Sequence, residues 1–351
     1  MDNKIEDIDI LSAFGLTVRQ TELLFSFQKT CALMDAEATK SDGKREQKMA
    51  WIDRWSSIIS DNSGQEKLSL VEQSDLVGEF KKELSETNAK TWFHLIILEA
   101  VTFKAYFPLG DKEEDKLYKK LSYEKQTEYI KNFISLVGYG KPEIAERYLN
   151  IYNKSIDKAI GKLKRIIMFV LLASAIIAAA AGAFAAPIAV FLVGGLFPGL
   201  KGAALVAACL AYLGGGAVAI GGMGMAGGVL VIVGGGALLG AAAGGAAAVG
   251  KEALFKSSPQ FALTFAAKLN VVLREIILNE QRDVKFAQAI LKKYEETIVQ
   301  LSSQIAKLKL ESEKDKDSIK NLKKSVEYME RIFEDMQKFS SSFEEGLTHG
   351  I

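Results

Sequence analysis

The sequence predicts an all-α fold with three parts: an N-terminal helical bundle, a Gly/Ala-rich transmembrane helical hairpin and a long C-terminal coiled-coil helix. Apolar residues recur at helical spacing through the N-terminal part, one charged residue (Lys201) interrupts the middle part, and apolar residues recur in heptads after Pro259. We therefore predict a helical globular domain, a basic amphipathic connector helix, an apolar membrane-inserting segment, and a long coiled-coil helix or helical hairpin, at residues 1–140, 141–165, 166–250 and 257–345.

Charge is distributed unevenly along the 351 residues. The net charge of +1 gives no electrostatic drive toward nucleic acid, so we expect no nucleic-acid partner. Residues 1–140 hold 19 basic and 24 acidic side chains (19 − 24 = −5), whereas residues 141–165 hold 7 and 3 (7 − 3 = +4). The basic connector therefore directly precedes the apolar segment.

The chain offers few catalytic residues. Cys31 and Cys209 cannot form a disulfide framework, His94 lies in an apolar helical run where we expect it to be packed, and His349 is near the C-terminus. A G-x-G-x-x-G at residues 222–227 lacks the acidic residue that dinucleotide sites place about 20 positions later. We interpret its glycines as helix-packing residues, and we expect no enzyme activity, no cofactor and no metal.

Helical spacing predicts six helices in the acidic N-terminal part. They are expected at residues 16–34, 49–59, from Ser69 or Ser74 to Leu84, 89–107, 113–121 and 123–137. The predicted core consists of the large apolar side chains on these helices, namely Leu23, Phe27, Trp51, Trp55, Phe80, Trp92, Ile96, Phe103, Tyr129, Phe133 and Leu136. A chain of this length can fold on its own.

A short acidic stretch joins the first two predicted helices. Residues 33–37 (LMDAE) and 41–46 (SDGKRE) resemble the acidic helix-turn-helix of TerB-like helical domains over roughly fifteen residues. That resemblance implies divalent-metal binding by Asp35, Glu37, Asp42 and Glu46. The residues themselves do not fit an EF-hand, because Lys and Met occupy the positions of its later ligands, and they favour a helix-connecting turn with solvated acids.

The apolar segment is long enough to cross a bilayer more than once, since one crossing needs about 20 apolar residues. Basic residues flank both of its ends, which favours cytoplasmic flanks and an even number of crossings. A hairpin that turns near residues 194–202 is the simplest solution, and four short passes are the alternative. We assign as interfacial anchors the basic residues Lys162, Lys164, Arg165 and Lys251.

Small residues repeat every four positions in the second half of the segment. In lipid, such a face lets helices approach closely, whereas each glycine weakens a helix in water by about 1 kcal/mol relative to alanine. The alternative is a buried hairpin of a soluble core, which could also be a temporary state before insertion. We assign membrane packing to Gly224, Gly228, Gly236, Gly240 and Gly244.

The C-terminal part shows a regular apolar seam. An unbroken helix over residues 262–338 would be on the order of 115 Å long. The polar residues 311–317 interrupt the seam and are either a register-setting polar layer or the bend of an antiparallel hairpin. The amphipathic residues 142–164 are a candidate packing partner. The coiled-coil seam is assigned to Ile298, Leu301, Ile305, Leu308, Ile319 and Leu322.

This plan of a helical body, an apolar hairpin and a long heptad helix resembles the cytolysin-A-type α-helical pore-forming toxins over residues 142–340. The resemblance implies a bilayer partner, a homo-oligomer or a paired subunit joined through the coiled coil, and pore formation as a toxin or immunity effector. The alternative is a permanently anchored scaffold with a cytoplasmic helical domain. Because the chain starts without a secretory signal, we expect cytoplasmic synthesis and a location at the host inner membrane, or at a target-cell membrane after export.

Overall fold

The computed structural model describes residues 16–61, 68–107, 109, 114–161, 259–311 and 316–348. All regular elements in these ranges are helices, which confirms the all-α class. In chain order they are α1 (Val18–Glu37), α2 (Asp42–Asp61), α3 (Leu76–Glu86), α4 (Thr91–Thr102), α5 (Glu114–Tyr118), α6 (Gln126–Val137), α7 (Ile144–Ile160), α8 (Pro259–Val271), a π-helix (Val272–Glu280), α9 (Val284–Glu311) and α10 (Lys316–Thr348).

Local sequence signals explain several helix ends. Thr17 and Gln20 form a capping box that starts α1, because each side chain accepts a hydrogen bond from the other residue's backbone N–H. Gly138 ends α6 with a left-handed φ of 74°, a conformation that glycine adopts at no steric cost. Pro259 is the first residue of α8, a position that proline favours because the first N–H groups of a helix have no partner within it.

Aromatic side chains fill the core of the bundle formed by α1 to α6. Trp51 and Trp55 stack with their ring centroids 5.7 Å apart. Phe27 lies against Phe80 and Phe133 at centroid distances of 5.9 and 4.1 Å. The predicted core residues other than Leu136 are all buried, so most of this core was predicted correctly.

The prediction that Leu136 belongs to the core is wrong. Its side chain is 63% exposed, whereas Phe133, Ile134 and Val137 of the same helix are buried. The buried face of α6 follows 3–4 spacing from Tyr129, and Leu136 lies off that face.

The C-terminal part is not one continuous helix. The helical path from α8 through the π-helix ends at residues 281–283, where Arg282 has a positive φ of 55°. Asp283 then starts α9, since its Oδ1 accepts a hydrogen bond from the backbone N–H of Phe286 at 2.9 Å. The 115 Å rod expected for an unbroken helix is therefore absent from the described residues.

Helices α9 and α10 pack side by side in opposite chain directions. Gln288 near the start of α9 contacts Glu344 near the end of α10 at 3.2 Å. Further along α9, the ring of Tyr294 lies 5.7 Å from that of Phe333. These contacts bring together residues on either side of the polar stretch 311–317, of which residues 312–315 lie outside the described ranges.

Helix α7 joins the bundle to the C-terminal helices. It packs against α4 and α6 of the bundle and against α8 and α10, so the pairing predicted for residues 142–164 is found over the described residues of α7. The described helices thereby share one apolar core. None of these helices combines the length and apolarity needed to span a bilayer, and the predicted membrane segment 166–250 lies outside the described residues.

Candidate functional site at the base of the apolar segment

Helices α7 and α8 lead into and out of residues 162–258, and they run antiparallel. Arg147 Nε donates to Glu275 Oε2 at 2.9 Å, and Asn270 Nδ2 donates to Ser155 Oγ at 2.9 Å. Residues later in α7 therefore contact residues earlier in the chain of α8 and the π-helix, as in any antiparallel pair. It follows that Ile160 and Pro259 lie at the same end of the helical body, which we call the base.

A carboxylate near the base holds four elements together. Asp335 of α10 accepts hydrogen bonds from Lys158 of α7 at 2.8 Å, from Asn270 of α8 at 3.0 Å and from Arg274 of the π-helix at 2.7 Å. The Arg274 guanidinium also lies 4.5 Å from the centroid of the Phe339 ring. We call Lys158, Asn270, Arg274 and Asp335 the Asp335 cluster.

The surroundings of Asp335 keep it ionised. Burial by itself would raise the pKa of this carboxyl group, but the hydrogen bond from Lys158, the charge of Arg274 and the hydrogen bond from Asn270 outweigh burial and hold the pKa below its ordinary value. Burial lowers the pKa of Arg274, and Asp335 opposes that shift. The cluster is therefore a charge-assisted junction at neutral pH.

A buried ion pair fixes α8 to the bundle. Lys268 Nζ lies 2.6 Å from Glu99 Oε2 of α4, and the two side chains are only 3% and 2% exposed. Burying either charge alone would be costly, so the pair specifies which residues of α8 and α4 face each other.

Arginine caps the last turn of α7 at the base. Arg331 Nη1 donates to the backbone carbonyl of Ala159 at 2.6 Å, and its Nη2 contacts Glu327 at 2.6 Å. The final carbonyls of a helix have no partner within it, and a cation there also interacts favourably with the negative end of the helix dipole. Arg331 therefore holds the point at which the chain enters residues 162–258.

His94 is buried, as the sequence predicted, between α4 and α7. Its Nδ1 lies 2.7 Å from the hydroxyl of Tyr148, and its Nε2 makes no hydrogen bond within the described residues. Burial lowers the pKa of His94, the nearby charge of Arg147 lowers it further, and Glu280 acts in the opposite direction. The imidazole is therefore a neutral packing group at pH 7.

The acidic residues between α1 and α2 lie in different surroundings. Asp35 is buried, pairs with Lys48 at 2.6 Å and accepts a hydrogen bond from the Tyr106 hydroxyl at 2.8 Å. The other three positions, Glu37, Asp42 and Glu46, are exposed. Within the described ranges, no group of three or more His, Cys, Asp or Glu residues is arranged to hold a metal ion.

The predicted seam residues of α9 and α10 point into the body. Four of them are buried and two are half-buried, the former being Ile298, Leu301, Ile305 and Leu322, and the latter Leu308 and Ile319. The predicted packing glycines and interfacial anchors lie outside the described residues, namely Gly224, Gly228, Gly236, Gly240, Gly244, Lys162, Lys164, Arg165 and Lys251.

Sequence reasoning missed the polar residues that organise the base. The available signal was a polar side chain inside an otherwise apolar helical run. Glu99 follows the apolar residues 92–98, and Lys268 and Asn270 interrupt the apolar residues 261–273. Such residues are seldom fully buried without partners, which the sequence could indicate without identifying them.

Comparison with known proteins gives no relative from which to transfer a function. No protein-family model, no curated protein and no solved structure matches the chain.

Proposed function

We propose that the protein inserts residues 166–250 into a lipid bilayer, oligomerises there and makes the bilayer permeable, as a toxin or an immunity effector. The observation that supports this most is the geometry of the base, where Ile160 and Pro259 lie at one end of the body. A segment that leaves and returns at the same end suits an even number of crossings, with its basic flanks on one side of the membrane.

The packing of the helical body supports the transfer of residues 166–250 from water into lipid. The described helices bury their apolar faces against one another in a common core, and the Asp335 cluster holds α7 beside α8. Insertion of residues 166–250 would then leave the body folded. The near-absence of charge in this segment supplies the drive toward lipid.

Oligomerisation is assigned to the glycine-rich face of the segment. The seam residues of α9 already pack against α10 within one chain, so a coiled coil between subunits would have to displace those contacts. Glycines at 236, 240 and 244 repeat every four positions and allow close helix approach in lipid. We therefore place the subunit contact in the membrane.

The proposal is tested by release of a small dye from liposomes of several lipid compositions. We expect purified protein to bind the liposomes and release the dye. Binding without release at any composition would contradict permeabilisation and would favour the permanently anchored scaffold. Failure to bind would contradict both.

The assignment of the glycine face is tested with a matched pair of variants. Gly240→Leu adds a large side chain to the repeated face, whereas Ala242→Leu adds one two positions away on a different side of the predicted helix. We expect only Gly240→Leu to reduce cross-linked oligomers and dye release while membrane binding persists. Equal behaviour of the two variants would contradict the assignment.

A further inference from the structure

The first turns of α10 present a group of lysines on one face. Lys316, Lys320, Lys323 and Lys324 line a shallow surface groove together with Ile319. All four lysines are exposed, and none makes an ion pair with a residue in the described part of the chain. Their spacing of four, three and one places them along the same side of the helix. We call this surface the lysine groove.

The direction of α10 places the lysine groove at the base. The contacts of Asp335 with Lys158 and of Arg331 with Ala159 show that α10 runs antiparallel to α7. The residues of α10 that precede Arg331 therefore continue past the end of α7. At the standard helical rise, Lys316 lies about 22 Å beyond the level of Arg331.

The packing of α8 gives the same direction independently. Asn270 contacts Asp335, and Arg274 lies over Phe339, so α8 and the π-helix run parallel to α10 with a constant offset. That offset places Pro259 near the level of Lys324. The lysine groove thus extends from the base in the direction in which the chain leaves α7 and enters α8.

We propose that the lysine groove binds the headgroups of anionic phospholipids and brings the base to the membrane surface. Lysine ammonium groups are compact charges suited to phosphate, and a row of them beside a membrane-inserting segment matches an anionic bilayer surface. The proposal rests on the proposed function, which supplies the membrane at the base. The sequence directly after α7 is also basic, with Lys162, Lys164 and Arg165, and Lys251 precedes α8 by eight residues.

The nearest described acid on this side of α10 has a cation of its own. Glu327, further along the same side of α10, pairs with Arg331 at 2.6 Å and so has its own cation. Asp317 stands among the four lysines in the sequence, and none of the four makes an ion pair with a carboxylate whose side chain the structure describes. A positive surface of this kind mainly raises the rate at which the protein associates with an anionic membrane, and salt weakens that attraction.

The test is the initial rate at which the full-length protein associates with vesicles. Phosphatidylcholine vesicles with and without phosphatidylglycerol are compared for wild type, for a Lys320→Gln/Lys323→Gln/Lys324→Gln variant, and for a control with Lys81, Lys82 and Lys120 changed to Gln. The control lysines are exposed residues of the bundle, so both variants lose the same charge. Circular dichroism checks that each variant is folded.

We expect the groove variant to associate with anionic vesicles at least tenfold more slowly than wild type, whereas the control stays within about twofold. Equal rates for the two variants, or no preference of wild type for phosphatidylglycerol, would overturn the proposal. Competition by inorganic phosphate at constant ionic strength would identify a free-anion site instead. Lysine-dependent retention of polyglutamate without slower vesicle association would identify an acidic polypeptide partner instead, and either result overturns lipid binding.

The vesicle-association rates and the dye release test the lysine groove and permeabilisation separately. Lysine-dependent association without dye release would support the lysine groove and contradict permeabilisation. Dye release with equal association rates for both variants would do the reverse.

Discussion

The bundle of α1 to α6 and the junction of α7, α8 and α10 are stabilised in different ways. Stacked and edge-on aromatic rings around Trp51 and Trp55 fill the bundle. At the junction, Asp335 holds three donors from other helices, and Lys268 pairs with Glu99 in the interior. Burial of apolar area is nondirectional, whereas each of these polar contacts is satisfied in one arrangement only.

This difference indicates that the junction specifies orientation more than it contributes stability. The apolar stripe of α7 could pack against α8 in more than one register, but Ser155 must meet Asn270 and Lys158 must meet Asp335. The polar contacts therefore determine that the chain leaves α7 and enters α8 at the base. We expect changes in the bundle to affect overall stability most, and changes at the junction to be sensitive to charge and pH.

The largest effect is expected from Trp51→Ala in the bundle. Trp51 is fully buried, and its Nε1 donates to the Phe107 carbonyl at 2.6 Å. Loss of its packing and of this hydrogen bond should lower the free energy of unfolding by about 4–5 kcal/mol. Urea denaturation measures this, with the exposed Leu136→Ala as a control that should change it by less than about 0.5 kcal/mol.

The next largest effect is expected from Lys268→Met at the junction. The change leaves the Glu99 carboxylate buried without its cation and should lower the free energy of unfolding by about 3–4 kcal/mol. The double variant Glu99→Met/Lys268→Met removes both charges and should recover most of that loss. A double variant as unstable as the single one would show that packing, and not charge, determines the effect.

Asp335→Asn should have a smaller effect, about 1–2 kcal/mol, because Asp335 and Arg274 are 25% and 19% exposed and water screens the lost charge. Since folding lowers the pKa of Asp335, its stabilisation is complete above the ordinary carboxyl pKa and is lost as the pH falls through the folded value. The gap in melting temperature between wild type and variant should therefore narrow below about pH 4. A gap that is constant from neutral to acid pH would contradict this role.

The smallest effect is expected from His94. Burial lowers the pKa of His94 in the folded protein, so the unfolded chain binds the extra proton at a higher pH than the folded chain does. The stability associated with neutral His94 is therefore complete above the ordinary pKa of 6.5 and is lost as the pH falls through the lower folded value. Wild type should lose more stability than His94→Gln between about pH 7.5 and about pH 5. Parallel pH profiles for the two proteins would show that His94 does not titrate on unfolding.

The sequence predicted the parts of the fold that depend on local periodicity. Helical spacing identified the helices of the bundle and, apart from Leu136, the core residues chosen from it. The break at Arg282 was missed because apolar residues keep helical spacing on both sides of it, at Ile277 and Val284. Asp283 acts as a helix cap there, but an isolated aspartate in a polar stretch is weak evidence for a break.

The base could not be predicted because its contacts join distant parts of the chain. Lys158 and Asp335 are 177 positions apart, and Glu99 and Lys268 are 169 apart. Periodicity reports which side of a helix is apolar, and it carries no information about which distant charge will lie opposite. The direction of α10, and with it the position of the lysine groove, follows from long-range contacts of this kind, those that Arg331 and Asp335 make with α7 and α8.

Entry of residues 166–250 into a bilayer can be followed with a fluorescent label on Cys209. Cys31 is buried and is replaced in a Cys31→Ala variant, so that Cys209 is the one thiol left to react. With an environment-sensitive label there, we expect a blue-shifted emission on addition of phosphatidylglycerol-containing liposomes and quenching by a nitroxide placed deep in the acyl chains. Unchanged emission, and no quenching by that lipid when the protein floats with the liposomes, would contradict insertion.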